Sequence, residues 1–91
     1  MTVAPSPFTL DQEYWLAHCQ GFRVDSDTGR IGLVEEVCTT PAGHPDLLVL
    51  RPGRLGRRRL LVAAEEVTAV APREGRIVVQ SPVRILARVL R

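Results

Sequence analysis

The chain has 91 residues, twelve basic and ten acidic, for a net charge of +2. That length supports one domain with one modest core, and so mild a charge argues against a dedicated nucleic-acid domain. Every basic residue is arginine, and the hydrophobic fraction of 45% excludes a disordered chain.

The two cysteines, Cys19 and Cys38, permit at most one bridge. Met1–Pro7 carries no basic residue and leads into no apolar core of a signal peptide. No apolar run reaches the ~20 residues of a membrane span. The expectation is a soluble, reduced, cytoplasmic protein without a membrane span.

In chain order, residues 1–8 contain Pro5 and Pro7 among small neighbours and read as a flexible lead-in. Thr9 and Gln12 fit a capping box, Asp11 suits the positive end of a helix, and Gly21 suits its stop. The spacing predicts a short helix within 9–21, with Leu10, Tyr14 and Ala17 on one face and Tyr14 and Trp15 packed on the sheet. Phe22–Asp25 reads as a first strand, and Ser26–Gly29 as a hairpin turn in which Gly29 takes a positive φ.

The central strand follows at 30–38. Its internal Gly32 predicts a bend, bulge or close backbone approach. Thr39–Asp46 is a Pro- and Gly-rich loop, and Leu47–Leu50 a strand covered on both faces. Arg57–Ala63, Val67–Ala71 and Arg76–Gln80 complete six strands, with turns at Pro52–Gly56 and Arg73–Gly75. Ser81 and Pro82 fit the N-cap and first position of a helix, and residues 83, 86, 87 and 90 are apolar at helical spacing. A short C-terminal helix over 81–91 is expected, with Arg84, Arg88 and Arg91 on its polar side. The fold expected is therefore all-β: a small six-stranded, SH3-like antiparallel barrel over 22–80 with a short helix at each end.

Phe22-Arg23-Val24 followed by Gly29-Arg30-Ile31-Gly32-Leu33-Val34-Glu35-Glu36-Val37 resembles the opening of a PRC-barrel domain. Leu47–Leu50, Leu60–Val67 with its acidic corner, and Arg76–Val79 are similar to the later parts, so the resemblance spans about residues 22–80. That family includes the H subunit of the photosynthetic reaction centre and the C-terminal half of the ribosome-maturation factor of the RimM type. Neither the membrane helix of the first nor the second barrel of the other has a counterpart in these residues. The resemblance implies a barrel that docks onto protein or ribonucleoprotein partners, with no catalytic residues to carry over.

The densest charge feature is Arg51-Pro52-Gly53-Arg54-Leu55-Gly56-Arg57-Arg58-Arg59. Arginine forks bind phosphates bidentately, yet alternation along a strand sets Arg58 on the face opposite Arg57 and Arg59. No aromatic lies nearby to stack a base. The bland alternative is a solvated hairpin whose arginines pair with acids on neighbouring strands.

Asp25, Asp27 and Glu36 partly mimic a calcium loop, but Gly29 and Arg30 fall where an oxygen ligand and a glycine are required. His18, Cys19, Cys38 and His44 lack the close pairing of a zinc site, and the cysteines read as small buried hydrophobes. Glu35, Glu36, Glu65 and Glu66 come as adjacent pairs that splay on a strand. The serines (Ser6, Ser26, Ser81) have no histidine in predictable reach.

These readings imply no enzyme, cofactor or metal, but a protein–protein docking or adaptor module. Contact is expected through Arg51, Arg54, Arg57, Arg58, Arg59, Arg84 and Arg88, with a homodimer possible. The alternative is an RNA- or ribosome-associated assembly factor using the Arg51–Arg59 hairpin, distinguishable by its steep salt dependence.

Overall fold

The longest strand, β2 (Gly29–Thr39), occupies the middle of the sheet. A computed structural model describes residues 10–53 and 58–90. Around β2 lie helix α1 (Leu10–Ala17) and strands β1 (Arg23–Ser26), β3 (Pro45–Arg51), β4 (Arg58–Ala63), β5 (Val67–Ala71), β6 (Arg76–Val79) and β7 (Ile85–Leu90). Short 3-10 turns join β4 to β5 at Ala64–Glu66 and β5 to β6 at Pro72–Glu74.

The strands form one seven-stranded sheet in the order β5-β6-β1-β2-β3-β4-β7. Val34, Leu48, Leu50 and Val62 from the middle share one buried cluster with Val67, Ile77 and Val79 from the far end. A flat sheet cannot bring those strands to a common core, so the sheet is strongly curled. It is nonetheless open, with β5 and β7 as its edges.

Punctuation by glycine and proline places the turns. Gly29 and Gly75 have φ of 127° and 59°, a region few other residues enter. Between them, Leu48 and Leu50 of β3 are fully buried whereas Leu47 and Val49 are only half-buried. The expectation of two fully covered faces thus gives way to ordinary strand alternation. Ile77 and Val79 share the buried face of β6 as expected.

Gly32 is both bulged and closely approached. The β1–β2 register passes from Val24↔Gly32 to Asp25↔Arg30, leaving Ile31 as the extra residue. A Cβ on Gly32 would stand 2.7 Å from the backbone oxygen of Arg51. The chain therefore needs glycine there so that the backbone of β2 can lie close against the end of β3.

Other expectations are corrected as well. The tail is a strand, not a helix: β7 pairs antiparallel with β4, from Arg58↔Leu90 to Val62↔Ile85. Without it, β4 would leave a row of backbone donors and acceptors unpaired, and that tertiary demand overrides the helical spacing. The tail thus adds a seventh strand to the six expected over 22–80, and the described residues form an open sheet rather than a closed barrel.

The sheet is also not wholly antiparallel. β1 and β6 run parallel, from Arg23↔Arg76 to Asp25↔Val78. Finally, α1 buries Leu16, and Cys19 follows just beyond it, while Tyr14 is 56% and Trp15 36% exposed. Residues 14 and 16 lie about 200° apart on a helix, so burying Leu16 turns Tyr14 outward. The lead-in over 1–8 and Thr9 of the capping box lie outside the described residues.

Candidate functional site

Strand alternation, as expected, divides the arginines of the 51–59 region. Arg58 and Leu60 share the face of buried Val62, while Arg59 and Leu61 point to the opposite, outer face. On that outer face Arg59 forms an ion pair with Glu35 of β2, its Nη2 donating to Oε1 at 3.0 Å. Arg59 is thereby a structural residue. Arg51, half-buried at the end of β3, lines shallow clefts of about 200 Å³. Arg54 and Arg57 lie outside the described residues.

Arg58 and Arg88 are brought together across the β4–β7 ladder. Arg58 stands opposite Leu90 and Arg88 opposite Leu60, which makes the two arginines diagonal neighbours on one face. Arg84 is exposed just before β7. Arg30, at the start of β2, joins them across an open cleft of about 470 Å³. The cleft has an apolar floor of Ile31, Leu60, Val83 and Ile85, and a rim of Arg30, Arg88 and the hydroxyl residues Ser26, Thr28 and Ser81. Arg30, Arg58, Arg84 and Arg88 form no ion pair with any described residue. No acid among the described residues lines the cleft.

Sequence reasoning did not single out Arg30, since a lone arginine after a turn reads as solvated. It also missed the device that holds β7 in place. Glu66 is only 5% exposed, at the 3-10 corner. Its Oε1 accepts from the backbone N–H of Arg84 at 2.6 Å, and its Oε2 accepts from Gln80 Nε2 at 2.6 Å. The Gln80 backbone N–H donates in turn to the Glu66 carbonyl at 2.9 Å. Charge-assisted bonds of this kind are about twice as strong as neutral ones, so the link from β6 to β7 is pinned at both ends. The only sequence signal was the acidic corner itself.

The remaining candidates fall elsewhere. Asp25 accepts from Arg23 Nε at 3.0 Å, with Arg76 Nε at 3.6 Å, so its carboxylate joins β1 to β6 rather than holding calcium. His44 pairs with Glu13, and His18 stacks on Tyr14 with ring centres 4.5 Å apart. Cys38 is half-buried. Cys19 is fully buried, its Sγ–H donating to the Leu16 carbonyl at 3.1 Å. Burial pushes the Cys19 thiol up to about 11, against a smaller lowering by a backbone hydrogen bond. No group of three or more His, Cys, Asp or Glu among the described residues is placed to hold a metal ion. No helix among them is long and apolar enough to cross a membrane.

No family model matches the chain, and no curated protein is similar to it.

Proposed function

We propose that the chain is a cytoplasmic, non-enzymatic docking module, built as a PRC-type, SH3-like variant, that binds a protein partner through its β4–β7 end. One observation carries this reading: Arg30 and Arg88 line an apolar cleft, with Arg58 diagonal to Arg88 on the same strand face, and no acid among the described residues pairs any of the three. Arginine is enriched at protein interfaces because its planar fork pairs carboxylates while its stem packs on apolar surface. Three of the acids have structural partners: Glu35 in Arg59, Glu66 in Gln80 and the backbone N–H of Arg84, and Glu13 in His44.

A tagged pull-down from the source cells, with and without nuclease, tests the reading. Partners that survive nuclease and are lost with Arg58→Glu plus Arg88→Glu support it. Partners that vanish with nuclease overturn it in favour of ribosome or RNA association through phosphate contacts.

A further inference from the structure

We propose that the free edge of β7 receives an extended acidic–apolar segment of another protein as an eighth strand. The carboxylates of that segment lie between Arg88 and Arg30, and its apolar residues lie beside Ala87 and Val89. The inference rests on the docking reading and names the kind of partner that reading requires.

The two sheet edges differ. At β5, α1 packs against the strand. At β7, no described residue pairs with the far side. An edge strand presents alternate N–H and C=O groups outward, ready to pair with an added strand. β7 also keeps Leu86 48% and Val89 42% exposed, apolar surface that an added strand could cover.

Charge selects the occupant. Arg88 faces the cleft, where Arg30 forms the opposite rim. A strand laid beside β7 would send alternate side chains to that cleft face and the others to the face of Ala87 and Val89. The matching sequence therefore alternates acidic with branched apolar residues. A second copy of this chain fits poorly, because β7 carries Arg88 and no acid, so a β7–β7 pair supplies no carboxylate for either Arg88. A phosphate backbone fits poorly as well. It has no use for the exposed Leu86 and Val89, and neither β4 nor β7 carries an aromatic to stack a base.

The test titrates the full chain into labelled seven-residue peptides at low salt. The probes are Val-Glu-Val-Glu-Val-Glu-Val, the same peptide with Lys for Glu, and two versions of the first that are N-methylated at alternate amides. The Glu peptide is expected to bind, weakening as salt rises, and the Lys peptide to bind at least tenfold more weakly. One N-methylated set is expected to abolish binding while the other leaves it, because only one edge of the added strand faces β7. Arg88→Glu is expected to lose at least tenfold for the Glu peptide and to gain affinity for the Lys peptide. Arg30→Glu gives a smaller change in the same directions and serves should Arg88→Glu fail to fold.

Equal binding of Glu and Lys peptides, or equal behaviour of the two N-methylated sets, overturns the proposal. So does displacement of the Glu peptide by oligouridylate at equal concentration, or a sedimenting dimer that Arg88→Glu leaves intact. Nuclease-resistant partners that persist with Arg88→Glu would overturn this inference and leave the docking reading standing. Loss of every partner with nuclease would overturn both.

Discussion

The β1–β6 junction and the β4–β7 junction both carry arginines, but only the first supplies an acid. At β1–β6, Asp25 lies between Arg23 and Arg76 and closes the parallel pair. At β4–β7, Arg58 and Arg88 stand diagonal to each other with no acid on either strand. A composition of all-arginine bases therefore hides two roles. Where a carboxylate is within reach, arginine joins strands. Where none is among the described residues, the same side chain is left without an ion pair.

The contrast can be broken at its link. Glu66 precedes β5 and holds the start of β7, so Glu66→Ala removes an acceptor from two donors. It is expected to cost about 2–3 kcal/mol in urea unfolding. Amide exchange should quicken in β7 before β1. Equal loss of protection in both would show that the two junctions unfold as one unit.

Gly32→Ala drives a Cβ against the Arg51 carbonyl where β2 meets the end of β3. It should destabilise by about 2 kcal/mol through backbone displacement, read from the same denaturation curves.

A direct comparison follows with two single substitutions. Asp25→Ala leaves Arg23 and Arg76 without their acceptor and should cost about 1 kcal/mol. Arg88→Ala should move stability by less than about 0.5 kcal/mol, because no folded-state partner is lost. If Arg88→Ala costs as much as Asp25→Ala, the division between joining and available arginines fails.

An effect felt only in alkali belongs to Cys19, in the buried core. Its thiol rises from 9.0 to about 11 in the folded chain. The unfolded state therefore loses its proton first as alkali is added. The stability contribution is complete below about pH 9 and disappears as pH climbs toward 11. Alkaline melting curves on the native chain and Cys19→Ala check this, the native chain showing the steeper decline above pH 9.

Most strands were legible because punctuation is local chemistry. Gly29, Gly75 and the Pro- and Gly-rich loop before β3 set turns that lie where they were expected. Gly32 announced a bend, a bulge or a close backbone approach, and a bulge beside it and a close approach at it are present. What was not legible depends on residues far apart in the chain. Ser81-Pro82 and the spacing of 83, 86, 87 and 90 satisfy a helix taken alone, and only the unpaired edge of β4 makes them a strand. The parallel pairing of β1 with β6 and the reach of Glu66 to Arg84 likewise leave no mark in a short window. Tyr14 and Trp15 drew the helix to the wrong face because large aromatics usually mark burial. Within the arginine set, Arg88 lines the cleft and Arg58 lies diagonal to it, Arg59 is held by Glu35, and Arg30 joins only through the curl of the sheet.

The parallel contact of Val24 with Ile77 has a consequence for the order in which the chain emerges from the ribosome. The β1–β2 and β2–β3 hairpins join near neighbours and can form early. Until Arg76–Val79 has been synthesised, however, β1 has no partner on its other side. A nascent chain paused within β5 would carry that bare edge together with an uncovered Val24, a state prone to cling to other chains. The last third of the sequence thus protects the first third, and a truncation that spares every residue of β1–β4 would still leave an aggregating fragment.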